Sequence, residues 1–314
     1  MDLFIEKEFA ENFQIEYYPE KESEIQKIIN SIFSKYPGIN WYLNTSEDFI
    51  EESELLLKLS DLNLNCRFNV DFDKLFTNEF VPKKQTLVLT EKPRSWFTLL
   101  KAKGILCFSY DNYEKELKDF ISKTHFKVDL SDEDNIPINW KIFQYLNNNT
   151  NFLILSDPYI LKDNSGQKIK ENLVPLLKEN LNKTLNYNVF IFTIADENIE
   201  RKLKFIYSQL ASFKIKIYVF NIQKSLEKFK MHDRLLYSNY AITESGSGFN
   251  LSSKKPINSQ ILSASVFETY TYKRFQHHLK ELKEYVQKLE RFEHYNNLFK
   301  ANTKNAFKVF NEMI

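Results

Sequence analysis

Short apolar runs alternate with longer amphipathic stretches along almost the whole chain. Four runs in the first half are typical of strands: Asn40–Leu43, Cys66–Val70, Thr86–Thr90 and Gly104–Phe108. Three stretches with helical spacing lie near residues 22–35, 48–60 and 113–122. Because strand and helix signals alternate instead of forming separate blocks, the pattern favours an α/β fold.

The second half shows the same alternation more clearly. Phe152–Leu155 and Val189–Ile194 are apolar runs, and Ile215–Ile222 alternates apolar with polar residues, so each predicts a strand. Apolar residues at helical spacing fill the two intervals, over 169–181 and 199–213. Pro175 lies in the first of these helices, which therefore begins late or is kinked. The order strand, helix, strand, helix, strand predicts a largely parallel sheet with crossover helices.

Further elements follow this sheet. His232–Ile242 predicts a strand, a turn at Ser238 and Asn239, and more strand, after which comes the glycine-containing loop Glu244–Asn250. From about Ser265 the pattern is helical to the end. The apolar stripe of this region consists of Phe275, Leu279, Leu282, Val286 and Leu289. We expect the stripe to pack inside its own chain; the alternative is a partner helix.

The domain organisation follows from a change in composition. Residues 127–137 are acidic and poor in apolar side chains, and an asparagine-rich run follows at 147–150. These features predict an N-terminal α/β domain of unassigned role over 1–147, a second α/β domain over 148–265 and a C-terminal helical extension over 266–314.

Composition restricts the classes of function. The chain has 314 residues and a formal net charge of +1, which argues against a strongly basic nucleic-acid-binding surface but leaves room for a local basic site. Cys66 and Cys107 are far apart and form no metal-binding pattern, so no zinc site is expected. The first residues lack the features of a signal peptide, and no apolar run is long enough to span a bilayer. We therefore expect a soluble, cytoplasmic protein without a membrane span.

The residues that carry the candidate chemistry lie between 232 and 250. On a strand, His232 and Arg234 project from the same face, which places a nucleophile or proton-transfer group beside a permanent cation that can bind phosphate oxygens. Gly246 allows the backbone to approach a ligand closely, and Ser247 adds a hydroxyl group. Together with Asn239 these residues predict an anion pocket.

The spacing of these residues resembles the signature of the phospholipase D superfamily, His-x-Lys-x4-Asp-x6-Gly-Ser-x-Asn. The family's histidine falls on His232, its lysine on Arg234, its aspartate on Asn239 and its Gly-Ser on Gly246 and Ser247. The final asparagine of the signature has its match one residue late, at Asn250, and the expected position is occupied by Phe249. The sequence does not decide which of the two residues is the counterpart of the family's asparagine. The resemblance covers roughly residues 150–265 and implies a phospholipase D-like mixed sheet flanked by helices.

The resemblance also implies a mechanism. His232 would attack phosphorus and form a phosphohistidine that water then resolves, while Arg234 and Asn239 hold the non-bridging oxygens. Gly246, Ser247 and Asn250 would contact the substrate. A second histidine must protonate the leaving group, and single-motif members obtain it from a second copy, so a homodimer is implied. The reaction needs no metal ion and no cofactor.

Two functions from different classes follow. The first is a metal-independent phosphodiesterase acting on DNA or RNA, similar to nucleases of bacterial restriction and phage-defence systems. The second is a catalytically inactive module that binds a phosphate group, nucleic acid or a protein partner. Arginine at the lysine position favours the second, because a planar guanidinium does not replace an ammonium point charge.

Other residues receive less weight. His125, Lys127 and Asp132 match His-x-Lys-x4-Asp, but no strand-like pattern and no Gly-Ser follow, so we interpret the match as coincidence. His277 and His278 are interpreted as part of a solvated basic helix face. Asp157, at the end of the first strand of the second half, either orients His232 or Arg234 by hydrogen bonding or makes a turn.

Overall fold

The computed structural model describes residues 1–16, 20–48, 65–77, 80, 85–146, 150–162, 166–183, 185–194, 198–222, 234–249, 251–291 and 303–313. These residues form an α/β protein, which confirms the predicted class. The chain divides into two compact units. Unit 1 consists of Met1–Lys123 and Val266–Lys273, and unit 2 of Thr124–Ser265 and Arg274–Ile314.

Unit 1 is built on a five-stranded parallel sheet in the order β3-β2-β1-β4-β5. Its strands are β1 (Asp2–Ile5), β2 (Asn40–Leu43), β3 (Asn65–Arg67), β4 (Thr86–Thr90) and β5 (Leu106–Ser109). The predicted bounds of β2 and β4 are confirmed, and β3 and β5 are shifted by one to three residues. The sequence does not predict β1, although it is the central strand.

Helices cover both faces of this sheet. They are α1 (Lys7–Glu16), α2 (Glu24–Lys35), α3 (Phe72–Thr77), α4 (Phe97–Lys101) and α5 (Tyr113–Thr124). On one face Phe33 of α2 packs against Trp41 of β2, with ring centroids 5.3 Å apart. On the other face Phe76 of α3 packs against Phe4 of β1 at 5.0 Å. The helix predicted near 48–60 lies almost wholly outside the described residues.

Unit 2 contains a seven-stranded mixed sheet in the order β6-β12-β11-β10-β7-β8-β9. Its strands are β6 (Phe126–Asp129), β7 (Phe152–Ser156), β8 (Asn186–Thr193), β9 (Lys214–Asn221), β10 (Leu235–Tyr237), β11 (Ala241–Ser245) and β12 (Gln260–Ser265). Strands β7, β8 and β9 are parallel, as predicted, whereas the other four join the sheet in antiparallel fashion.

Helices also flank this second sheet. They are a π-helix (Ile169–Leu173) that runs into α6 (Val174–Asn180), α7 (Ile199–Gln209), α8 (Thr269–Arg291) and α9 (Thr303–Met313); two 3-10 helices span Glu133–Asn135 and Trp140–Leu146. The π-helix ends at Leu173, two residues before Pro175, so the irregularity that the proline predicts lies at the start of α6. In α8 the predicted stripe is buried, with the ring of Phe275 at 5.8 Å from that of Tyr237 on β10. The intramolecular interpretation of the stripe is therefore confirmed.

Alternation along β8 separates the two faces of the sheet. Val189 and Ile191 belong to a core shared with the π-helix, α6 and α7. Phe190 and Phe192 point to the other face, where the ring of Phe310 from α9 lies 5.1 and 5.6 Å from theirs. The region called a C-terminal extension from sequence thus supplies one cover of the unit 2 sheet.

The segment around β6 differs from the expectation. Residues 128–132 do not read as a strand, yet Phe126–Asp129 pairs with β12 in the register Val128–Ile261. Phe126 and Val128 are partly buried against the unit 2 core. Because β6 belongs to this sheet, unit 2 begins at Thr124, and the boundary at 147 drawn from sequence falls within it.

Candidate functional site

Arg234 lies at one edge of the unit 2 sheet, where three strands meet. The next residue, Leu235, begins β10 and pairs with Ser156 at the end of β7 and with Glu244 near the end of β11. The backbone carbonyl of Arg234 accepts the N–H of Ser245 at 3.0 Å. The register therefore brings the end of β7, the start of β10 and the end of β11 to the same edge.

Asp157, the first residue after β7, organises this edge. Its side chain is 3% exposed. One carboxylate oxygen, Oδ1, accepts the backbone N–H of Tyr159 at 2.8 Å, and Oδ2 accepts the backbone N–H of Phe249 at 3.1 Å. The turn interpretation of Asp157 is confirmed by its bond to Tyr159. Among the described residues no hydrogen bond joins Asp157 to Arg234, and His232 lies outside them; the second oxygen instead fixes the loop that follows β11.

The loop over residues 246–249 is packed closely against these side chains. Gly248 has φ +83°, a conformation that L-residues rarely adopt. A Cβ atom at this position would lie 2.8 Å from Asp157 Oδ2 and 2.9 Å from Arg234 Cδ. Glycine is therefore required here both by the backbone conformation and by the approach of two side chains.

Arg234 is held in place by the same loop. Its Nη1 donates a hydrogen bond to the carbonyl oxygen of Gly246 at 2.9 Å. Its guanidinium carbon lies 5.8 Å from the centre of the Tyr159 ring, within the range of a cation–π contact. The cation is thus oriented on two sides.

A cavity of about 230 Å³ opens beside Arg234. It is lined by Asp157, Tyr159, Ile160, Lys168, Asn172, Arg234 and Ser247. Ser247 Oγ is buried, and among the residues that the structure describes it has no hydrogen-bonding partner. Two basic side chains therefore line one space, and the buried hydroxyl group of Ser247 lies in its wall.

The far wall of the cavity comes from the π-helix. Asn172 is buried; its amide donates to the Lys168 carbonyl at 3.1 Å, and its Oδ1 accepts the N–H of Ser252 at 2.7 Å. The chain after the glycine loop is thereby tied to the helix, as the loop itself is tied to Asp157. A π-helical turn is rare within α-helices, and where it occurs it is frequently at a functional site.

The structure brings Arg234, Gly246 and Ser247 together, as the sequence predicts, but it places Asn239 elsewhere. Asn239 follows β10 at the end away from Arg234, beside the start of β7. Its Oδ1 accepts the N–H of Asn151 at 3.0 Å, and its Nδ2 donates to Asn151 Oδ1 at 2.8 Å. With 1% exposure, this amide is committed to joining two strands.

Two predicted site residues, His232 and Asn250, lie outside the described residues. Phe249, the other counterpart considered for the family's asparagine, is fully buried in the unit 2 core. Its side chain is therefore not available to a ligand, and only its backbone N–H takes part in the site, through Asp157.

The remaining histidines are placed as follows. His125 directly precedes β6, which is the outermost strand of the sheet and lies three strands away from β10. Asp132 accepts the N–H of Asp134 at 3.0 Å and so begins a 3-10 helix. His277 is exposed and lies 3.4 Å from Glu281. His278 differs from the solvated face expected for it, because its Nδ1 hydrogen-bonds the hydroxyl group of Tyr237 at 2.8 Å.

Tyr159, Lys168 and Asn172 are cavity residues that the sequence does not single out. A signal exists only for Asn172, which is a polar residue within the apolar face formed by Ile169, Leu173 and Leu176. The other two become apparent only when the chain is folded, because they are brought to Arg234 from distant parts of the sequence.

Unit 1 has a separate polar cluster at the carboxyl ends of its strands. The order of its strands reverses between β1 and β4, the position where open α/β sheets commonly bind ligands. Here Glu6, which follows β1, accepts the N–H of Glu91 at 2.8 Å and pairs with Arg94 at 2.6 Å. Burial raises the pKa of Glu6, against the opposing effects of these hydrogen bonds. Burial alone would lower the pKa of Arg94, but its bonds to Glu6 raise it overall.

No family model, curated protein or solved structure matches the chain. Among the described residues, no helix is both long and apolar enough to cross a membrane. Within the same residues, no group of three or more histidine, cysteine, aspartate or glutamate side chains is placed to hold a metal ion.

Proposed function

We propose that unit 2 is a phospholipase D-type domain whose cavity beside Arg234 holds the phosphate group of a phosphodiester. The observation that carries the proposal is the convergence of Arg234, Lys168 and Ser247 on one cavity, with the glycine loop held against it by Asp157. A guanidinium group, an ammonium group and a hydroxyl donor are the groups that bind phosphate oxygens in proteins.

The buried aspartate is compatible with this assignment. Both oxygens of Asp157 accept backbone N–H groups, so its charge is directed at the backbone of Tyr159 and Phe249. The carboxylate keeps its negative charge, so Arg234 and Lys168 together leave the cavity lining with a net positive charge. An anion of phosphate size is the ligand that this arrangement favours.

For turnover we propose His232, two residues before Arg234 in the sequence, as the nucleophile. Its imidazole would attack phosphorus, the ester oxygen would leave with a proton supplied by a second histidine, and water would then cleave the phosphohistidine. Arg234 and Ser247 would stabilise the non-bridging oxygens, a task in which Asn239 has no place at this edge of the sheet. The second histidine would be His232 of another copy in a homodimer.

The alternative is an inactive binding module, and one observation favours it. Arg234 directs Nη1 at the Gly246 carbonyl, so part of its hydrogen-bonding capacity maintains the loop instead of contacting a ligand. An arginine used in this way can hold a phosphate group without the mobility that an ammonium group has during a reaction.

Cleavage assays separate the two functions. The full-length protein is incubated with DNA, RNA and a chromogenic phosphodiester in EDTA, beside His232→Ala and Arg234→Lys, with His277→Ala as an exposed-histidine control. Cleavage by the wild-type protein that is lost in His232→Ala but kept in His277→Ala supports the phosphodiesterase function. Binding without cleavage by any variant supports the module, and gain of cleavage by Arg234→Lys would identify arginine as the cause of inactivity. Absence of both binding and cleavage contradicts the proposal.

A further inference from the structure

Tyr159 is an exposed aromatic residue at the wall of the phosphate cavity. Its side chain is 52% exposed, although it is large and mainly apolar. The neighbouring Ile160 and Leu161 are buried, which shows that the segment itself is packed and that only the ring is left outside. An aromatic ring exposed beside a cationic cavity is a surface on which a ligand can stack.

The backbone that carries this ring is fixed. The N–H of Tyr159 donates to Asp157 Oδ1 at 2.8 Å. Two residues later, the carbonyl of Leu161 accepts a hydrogen bond from Lys202 Nζ at 2.6 Å, and this lysine is 4% exposed. The buried carboxylate and the buried lysine fix the backbone on both sides of Ile160, so the ring extends from a fixed position, which lowers the entropic cost of binding.

The ring is also surrounded by positive charge. Arg234 Cζ lies 5.8 Å from its centre and Lys162 Nζ lies 5.6 Å from it. Lys168 lines the adjoining cavity. A ligand that satisfies the whole arrangement carries an anionic group and a flat aromatic group that are separated by a short linker.

We propose that the site binds single-stranded nucleic acid, with one phosphate in the cavity beside Arg234 and an adjacent base stacked on Tyr159. This inference rests on the proposed phosphate-binding function and adds the class of ligand to it. In a single strand the bases are free to stack on protein side chains, whereas those of a duplex are already stacked and paired. A lipid phosphodiester has no aromatic group for the ring.

The test compares two ligands of equal charge. Fluorescently labelled oligothymidylate and an abasic oligomer of the same length are titrated with full-length protein in EDTA. The proteins are wild type, Tyr159→Ala, Tyr159→Phe and Arg234→Ala. Tyr270→Ala changes a tyrosine that is 77% exposed outside the cavity and serves as the control. Duplex DNA and anionic phospholipid vesicles are the competing ligands.

We expect Tyr159→Ala to weaken oligothymidylate binding by about 5- to 150-fold, the range corresponding to one stacked base. Binding of the abasic oligomer should change far less, because the hydrogen bond to Gly246 still orients Arg234. Tyr159→Phe should bind as the wild type does, and Arg234→Ala should weaken both ligands. The inference is overturned if Tyr159→Ala weakens both oligomers equally or neither, or if duplex DNA or vesicles bind more tightly. If the inference fails in this way but the wild-type protein still binds the abasic oligomer, the proposed phosphate-binding function stands. If the wild-type protein does not bind the abasic oligomer, both the inference and the proposed function are overturned.

Discussion

The Asp157 carboxylate accepts the Phe249 N–H at 3.1 Å across 92 positions of the sequence. This bond joins the end of β7 to the loop that follows β11. The loop carries Gly246 and Ser247, and Gly246 in turn accepts a hydrogen bond from Arg234. One buried carboxylate therefore fixes the glycine loop relative to the end of β7, beside the cavity that we propose for a phosphate group.

Replacing Asp157 by asparagine should disrupt this connection. An amide has one acceptor oxygen for two N–H groups, and its NH2 group would face a donor. We expect unit 2 to lose about 1–3 kcal/mol of unfolding free energy and phosphate affinity to fall. Denaturant unfolding and phosphate titration measure the two effects. Asp129→Asn alters an exposed aspartate that also accepts two hydrogen bonds, and it should leave phosphate affinity unchanged.

Gly248→Ala tests the close packing of the loop. Gly166→Ala is the matched control, because Gly166 also has a positive φ, +75°, but a Cβ there meets no atom within 4 Å. The control should cost about 1–2 kcal/mol through backbone strain alone. Gly248→Ala should cost about 1–3 kcal/mol more, because its Cβ overlaps Asp157 and Arg234. Equal losses of unfolding free energy in the two variants would show that Asp157 and Arg234 can move away from the added methyl group without an energetic cost.

Asn239→Ala separates stability from ligand binding. The substitution leaves the N–H of Asn151 and the side-chain oxygen of Asn151 without their present partner, and we expect a loss of about 1–3 kcal/mol. Phosphate affinity of the folded protein should not change, since Asn239 lies at the far end of β10. Loss of phosphate affinity at a temperature where the variant remains folded would indicate that Asn239 does contribute to the binding site.

The Glu6–Arg94 pair predicts a pH dependence for unit 1. Burial raises the pKa of Glu6 above its ordinary value of 4.5, so the folded chain binds this proton more tightly than the unfolded chain does. Stability should therefore fall as pH rises from about 4.5 through the raised pKa. Glu6→Gln should remove this decrease, which unfolding curves at a series of pH values would detect. Glu24→Gln, which changes an exposed glutamate of α2, is the control; a decrease that persists in Glu6→Gln must arise from another group.

Phe310→Ala tests whether α9 is a structural part of unit 2. Phe310 is fully buried against Phe190, Phe192 and Phe220. Removing a phenyl group from such a site costs about 3–5 kcal/mol. Lys308→Ala, on the exposed side of α9, should change stability by less than about 0.5 kcal/mol. Similar unfolding curves for both variants would mean that α9 adds little to the core.

Much of the fold could be predicted because many elements are marked by local pattern. The apolar runs of β2, β4 and β7 and the stripe of α8 each bury one continuous surface, and that surface is visible in sequence. Strands β6 and β12 could not be identified in this way. Only alternate residues of β12 are buried and alternate residues of β6 are no more than partly buried, so the place of each strand follows from its pairing in the sheet.

The site shows the same division between local and distant information. Arg234 and the glycine loop lie within 16 residues of each other and can be identified together from spacing. Asp157, Lys168 and Tyr159 reach Arg234 only through the pairing of β7 with β10, and no local pattern connects them. Asn239 has the right spacing for a site residue, but the antiparallel register carries it to the opposite end of the strand.

The chain of unit 1 is interrupted, since Val266–Lys273 returns to it after the whole unit 2 sheet. Tyr272 in this segment is fully buried, and its ring stacks on Tyr36 with centroids 4.4 Å apart. During synthesis, residues 1–123 emerge from the ribosome long before the segment that completes their core. Unit 1 must therefore wait, incompletely packed, while the strands of unit 2 are made. Unit 2 is completed later still, because the helix α9 that covers one face of its sheet follows this segment in the chain.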